Sequence, residues 1–166
     1  MKIQQINFNF NFKGRPDNYS KIDNYLSRSG QPQKADLAWL KEQGVTDIIN
    51  FRTMYESAIC FDEKEEAERL NINYHQIASH TAKPKEENVN KFLDLVNSIK
   101  NKGGKIHIHC YAGADRTGMY AFIYKAMNNL GNLIENEREW LAFGHNKEAF
   151  PNLINWTKDI VKKLKK

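Results

Sequence analysis

Short strand-like runs alternate with helix-like stretches along most of this chain, and that rhythm constrains its fold more than any other feature. Residues 25–29, YLSRS, read as a strand that ends in a turn at Gly30 and Pro32. Residues 33–43 follow with Leu37 and Leu40 at helical spacing, and Gly44 stops that helix. Residues 45–51, VTDIINF, read as a buried strand that delivers Arg52 and Thr53 to its carboxyl end. A charge-dense helix over 62–70 turns Ala67 and Leu70 inward and leads to a strand at 73–77. After a polar loop over 78–85 containing Pro84, residues 87–100 carry Val89, Phe92, Leu93, Val96 and Ile99 at helical spacing, ending at Gly103 and Gly104. Residues 105–109, KIHIH, form the next strand, and from Arg116 the pattern is helical with breaks near Gly131, Gly144 and Pro151. The whole predicts an α/β fold: a mostly parallel twisted sheet of about four to five strands with helices on both faces. Ahead of it, residues 6–12 alternate apolar and polar as an exposed or edge strand would, with Phe8, Phe10 and Phe12 covering a core.

Ligands of such sheets bind at the carboxyl ends of the strands, and there the sequence reads HCYAGADRTG, residues 109–118. Wrapped between a strand and a helix, this loop would aim the backbone N–H groups of Tyr111, Ala112, Gly113, Ala114, Asp115 and Arg116 inward, at the positive end of the helix. Such a cradle suits a phosphate dianion. Gly113 lets the chain turn sharply, and the flanking alanines keep the walls small. Cys110, at the base of the cradle and facing the Arg116 cation, is favoured as a thiolate. The Arg116 guanidinium can grip two phosphate oxygens while the sulfur attacks phosphorus from the opposite side, a fork that lysine cannot supply. Thr117 can donate its hydroxyl to the sulfur, and His109 orients the loop rather than acting as a base. Arg28 and Arg52 lie where strands deliver side chains towards the site, so each either touches substrate or holds loops together through ion pairs.

This H-C-x(5)-R-[ST] pattern resembles the signature of the cysteine-dependent protein tyrosine phosphatase superfamily, and residues 109–118 fill every position of it. Upstream, SRSGQP at 27–32 and GVTDIINFR at 44–52 resemble segments of the compact atypical dual-specificity phosphatases, so the likeness covers most of residues 20–145. The resemblance implies a phosphatase fold and a two-step hydrolysis of phosphomonoesters: a phosphocysteine forms on Cys110, and water then attacks it. A phosphorylated protein is the expected substrate, by tyrosine or dual specificity. Inositol polyphosphates or phosphoinositides are the alternative, although Tyr111 and Ala114 stand where several lipid-directed relatives place lysines. In most of the superfamily a separate loop supplies an aspartic acid to protonate the leaving group. By position that loop is 78–87, ASHTAKPKEE, which offers only His80, Glu86 and Glu87. Some relatives instead carry an aspartate directly before the loop arginine and use it as the acid. Asp115 matches that pattern, and a carboxyl beside a bound phosphate dianion tends to keep its proton. Asp115 is therefore the expected acid, with His80 or a glutamate of 78–87 as the alternatives, and a purely loop-fixing Asp115 as the bland one.

No metal or cofactor is expected, since the His107-x-His109 pair lacks a third ligand. A rhodanese-type sulfurtransferase usually has a loop one residue shorter, and Arg116-Thr117 speaks against it. A phospho-binding module without turnover is opposed by the intact cysteine, arginine and threonine. With 166 residues, 40% of them hydrophobic, the chain can bury one core. The expected layout is a single phosphatase domain: an N-terminal extension over about 1–20, a catalytic core over about 21–145 and a basic C-terminal helix over about 147–166. The net charge of +5 favours anionic partners without indicating nucleic acid. Lys158, Lys162, Lys163, Lys165 and Lys166 read as a solvated helix face in preference to a contact with acidic lipid. The first residues lack the apolar core of a signal peptide, and Cys60 and Cys110 make no disulfide framework, so a reducing cytoplasmic setting and a monomer are expected. Cys60 reads as an apolar filler, and Trp39, Trp140 and Trp156 as packing residues.

Overall fold

Each of the four strand-like runs between residues 25 and 109 forms a strand in the computed structural model, which describes residues 14–57 and 61–166. The run over 6–12, with Phe8, Phe10 and Phe12, and Cys60 lie outside the described residues. The strands β1 (Ser20–Lys21), β2 (Leu26–Ser29), β3 (Asp47–Asn50), β4 (Asn73–Gln76) and β5 (Ile106–His109) form one sheet in the order β1-β2-β5-β3-β4. Only the β1–β2 edge pair is antiparallel. The helices are α1 (Lys34–Glu42), α2 (Met54–Ser57), α3 (Glu63–Arg69), α4 (Glu86–Asn101), α5 (Asp115–Met127), α6 (Leu133–Ala142) and α7 (Leu153–Leu164).

Successive strand residues point to opposite faces, so the adjacent Ile48 and Ile49 of β3 enter two different cores. On one face Ile48 meets Leu37 and Leu40 of α1, Ala67 of α3 and Ile72. On the other, Ile49, Ile106 and Ile108 meet Val89, Phe92 and Val96 of α4 and the buried length of α5. Helix α5 is buried continuously from Thr117 to Tyr124, because the sheet, α4, α6 and α7 all pack against it. A helix enclosed in that way shows no amphipathic stripe in its sequence.

Two elements were not anticipated. Strand β1 is a two-residue edge that pairs Ser20 with Arg28 and Lys21 with Ser27, too short to leave a periodic signal. Helix α2 begins with a capping box: the Thr53 N–H donates to Glu56 Oε2 at 2.7 Å, and the Glu56 N–H donates to Thr53 Oγ1 at 3.3 Å. Residues 14–20, expected in an extension, belong to the folded core. Gly14 and Pro16 are buried, the Asp17 carbonyl accepts from the Gly30 N–H at 2.8 Å, and Tyr19 packs edge-on against Trp39. The basic C-terminal run sits on α7, whose Ile154, Ile160 and Val161 are buried. Lys158 pairs there with Glu137 at 2.5 Å and Lys163 with Glu86 at 2.7 Å. Among the described residues no helix is long and apolar enough to cross a membrane.

Candidate active site

Parallel register puts Ser29, His109 and Asn50 side by side at the carboxyl ends of β2, β5 and β3. From this edge the chain runs through residues 110–114 into α5, whose N-terminus has no side-chain cap. The outside of the loop is tied down carbonyl by carbonyl. Tyr111 O accepts from the Gln31 N–H at 2.8 Å, and Ala112 O accepts from Asn18 Nδ2 at 3.1 Å. Gly113 O accepts from Arg28 Nη2 at 2.6 Å, and Ala114 O from Trp140 Nε1 at 3.0 Å. In a trans peptide the carbonyl of one residue and the N–H of the next point in opposite directions. Four carbonyls held outward therefore turn the N–H groups of residues 112–115 to the inner side of the loop. Gly113 has φ +73°, and a Cβ there would come within 2.5 Å of the Ser29–Gly30 backbone, so the close approach of β2 to the loop requires glycine.

Cys110 lies at the base of the loop, 3% exposed, and Arg116 and Arg28 both act on it electrostatically. Arg116 is gripped by Glu56, with Nη1 donating to Oε2 at 2.7 Å and Nη2 to Oε1 at 2.9 Å. Glu56 is held down to about pKa 2, chiefly by its hydrogen bonds from Arg116. Burial works to lower Arg116, but its bond to Glu56 and its proximity to Cys110 outweigh that and raise it. Glu56 was missed in the sequence, although the Thr53-x-x-Glu56 capping box was a legible sign of a helix start.

His109 lies buried beside the loop. Its Nδ1 lies 3.1 Å from the Cys110 carbonyl, and its Nε2 is at ion-pair distance, 2.7 Å, from Glu63 Oε1 of α3. Burial works to raise Glu63, and the pull of His109 with hydrogen bonds from His109 and Gln31 overcomes it, leaving the carboxyl lowered. His107 is also buried, its two nitrogens 2.8 Å from Ser27 Oγ and 2.7 Å from Ser29 Oγ, and burial followed by the neighbouring His109 pushes it well below 6.5. Among the described residues no group of three His, Cys, Asp or Glu is arranged to hold a metal ion.

Of the two roles open to Arg28 and Arg52, their contacts are those of braces. Arg28 is 1% exposed, donates to Gly113 O and lies 4.0 Å from the Phe143 ring centroid, and burial lowers it to about 10. Arg52, 3% exposed, is likewise a strut, donating to Gln31 Oε1 at 2.5 Å and to the Glu56 carbonyl beneath the exposed Tyr111 ring. Thr117 Oγ1 is buried with no hydrogen-bond partner among the described residues, so the expected bond to the Cys110 sulfur is not formed in this structure.

A cleft of about 440 Å³ opens beside Arg116, lined by Thr53, Glu56, Ser79, His80, Thr81 and Phe150 among others. That size falls within the range of small-ligand sites, roughly 300–1,000 Å³. Of the 78–87 acids, only His80 faces this cleft; Glu86 pairs with Lys163 and Glu87 with Lys91. Asp115 opens α5, its side chain 23% exposed, with Oδ1 2.6 Å from His145 Nδ1 and accepting from the Asn146 N–H at 2.9 Å.

A family model described as "DSP-PTPase phosphatase fused to NAD+ kinase" matches residues 6–150. The tyrosine-protein phosphatase CDC14 of Candida albicans is 30% identical over 100 residues, 51% of this chain and 18% of that protein, so the chain spans under a fifth of this curated relative. In fold the chain is similar to a DUF442 protein from Shewanella putrefaciens, at TM-score 0.75 and 21% identity over 89% of this chain and 91% of that one. It is also similar to P. aeruginosa TpbA in complex with pTyr, at TM-score 0.73 and 17% identity over 89% and 87%.

Proposed function

The chain belongs to the DSP-PTPase phosphatase family, and on that premise we propose that it hydrolyses single phosphomonoesters on protein side chains through a phosphocysteine on Cys110. The observation that carries this reading is the row of four outward-tied carbonyls, which turns the successive N–H groups of residues 112–115 to the inner side of the loop that follows Cys110. There the thiolate attacks phosphorus, the bond from phosphorus to the ester oxygen breaks, and Asp115 protonates the departing oxygen. Water then attacks the phosphocysteine, Asp115 takes the water proton, and Cys110 leaves as thiolate. Glu56 occupies one edge of the Arg116 fork, the Nη1/Nη2 edge, so the Nε side remains for two phosphate oxygens.

One phosphate rather than several is supported by charge. The loop carries Tyr111, Ala112, Gly113 and Ala114 without a lysine, and Glu56 offsets the charge of Arg116. Exposed Met54, Tyr55 and Tyr111 offer an apolar surface for peptide. A reducing compartment suits a thiolate nucleophile.

The test is a panel of phosphotyrosine peptide, phosphothreonine peptide and inositol polyphosphate, assayed beside Cys110→Ser. Peptide hydrolysis should exceed that of the polyphosphate, and Cys110→Ser should abolish it. Activity that survives Cys110→Ser would overturn the thiolate mechanism, and a preference for the polyphosphate would overturn the substrate class.

A further inference from the structure

The partly exposed carboxylate Asp115 is held from outside its own loop. After α6 the chain turns at Gly144, φ +91°, a left-handed conformation that glycine adopts without strain, and this turn delivers His145 and Asn146 beneath Asp115. Both act on one oxygen: His145 Nδ1 at 2.6 Å and the Asn146 N–H at 2.9 Å meet Oδ1, and neither takes Oδ2. The His145 side chain is fully buried, and its ring centroid lies 4.7 Å from that of Trp140, whose own Nε1 holds Ala114 O. Its second ring nitrogen, Nε2, is buried with no hydrogen-bond partner among the described residues. An imidazole in that setting carries a desolvation cost that phenylalanine would avoid. Its only polar side-chain contact among the described residues is the one to Asp115.

We infer that His145 is a positioning residue for proton transfer, fixing Asp115 through Oδ1 so that Oδ2 is left to exchange the proton. The inference rests on the proposed role of Asp115 as the acid. In the first step Oδ2–H gives its proton to the ester oxygen as the bond to phosphorus breaks and the sulfur–phosphorus bond forms. Negative charge then develops on a carboxylate whose Oδ1 already accepts two hydrogen bonds, and those bonds strengthen as the charge appears. In the second step the water proton returns to Oδ2. His145 gains and loses no proton in the cycle.

The test compares two substrates, a phosphoserine peptide with a poor leaving group and an aryl phosphate whose leaving group needs no proton. Asp115→Asn should slow the phosphoserine reaction by about 10²–10⁴-fold and the aryl reaction far less. His145→Phe should show the same split, about tenfold on phosphoserine with the aryl rate nearly unchanged, because a misaimed group loses only the step it serves. His145→Asn, whose side-chain amide can stand near the position of Nδ1, should restore much of the phosphoserine rate. Combined with Asp115→Asn, His145→Phe should add little further loss, since the two act as one unit. Should Asp115→Asn slow both substrates alike, the acid reading itself fails. A split with Asp115→Asn but an equal loss on both substrates with His145→Phe, or no rescue by His145→Asn, overturns the positioning role and leaves the acid reading intact.

Discussion

Two buried histidines flank the loop, one before Cys110 and one beneath Asp115, each meeting a carboxylate at nearly the same distance, 2.7 Å for His109–Glu63 and 2.6 Å for His145–Asp115. The carboxylates differ in what surrounds them. Glu63 is 6% exposed and both its oxygens are engaged, Oε1 by His109 and Oε2 by Gln31 Nε2 at 3.0 Å and Asn50 Nδ2 at 3.1 Å. The side chain of Asp115 is 23% exposed, and both its donors converge on Oδ1. A carboxylate with a close partner at each oxygen and sealed from water is a brace. One held by a single oxygen and partly open to solvent keeps its second oxygen free of donors among the described residues, as the proposed proton transfer needs.

The largest expected effect breaks the sealed pair. Glu63→Ala leaves His109 buried without its partner and should cost about 3–5 kcal/mol in a urea unfolding experiment. Asp115→Asn should cost about 1 kcal/mol or less, since its pair is partly solvated. Equal losses would erase the distinction between brace and acid. A smaller effect is expected in catalysis at Glu56, which grips Arg116. Glu56→Gln keeps the shape but loses the paired charge, and kcat/KM on an aryl phosphate should fall about tenfold as the guanidinium loses its fixed aim.

Glu56 also sharpens the comparison through pH. Its folded-state pKa is depressed from 4.5 to about 2, so its contribution to stability is complete above pH 4.5 and is lost as pH falls towards 2. The Tm of wild type should therefore decline more steeply than that of Glu56→Gln below pH 4.5. A third buried histidine gives the smallest signal, at milder acidity. His107 faces two serine hydroxyls instead of a carboxylate, and its pKa is pushed well below 6.5. The unfolded chain takes up that proton first, so the contribution is present above pH 6.5 and shrinks as pH falls below it. A Tm that stays level between about pH 7.5 and 5.5 would show that His107 accepts a proton in place, as a carboxylate-paired histidine can.

The strand–loop–helix frame of the site was legible because its signals are local. Val45, Ile48, Ile49 and Phe51 announce a buried strand, Gly113 marks the tight turn, and the spacing of Cys110 and Arg116 sets both on one loop. Helix α2 was legible too, in Thr53 and Glu56, but it offers only four residues to periodicity. Arg28 was left with two roles for a different reason. Its place at the end of β2 is plain in the sequence, yet whether it points at substrate or supports the Gly113 carbonyl depends on residues 85 positions away.

The types of group that the proposed chemistry needs were therefore written along the chain: a thiol, a guanidinium, a carboxyl and a glycine-bearing turn between a strand and a helix. Their partners were not. Glu56 reaches Arg116 across 60 residues, His145 reaches Asp115 across 30, and Glu63 meets His109 only because α3 packs against the sheet face on which that histidine stands. Periodicity and spacing report which face a residue occupies within its own element. Which carboxylate keeps an oxygen without a donor and partly open to solvent, and which is sealed behind the loop, is decided when separate elements pack and water is excluded from one side and not the other.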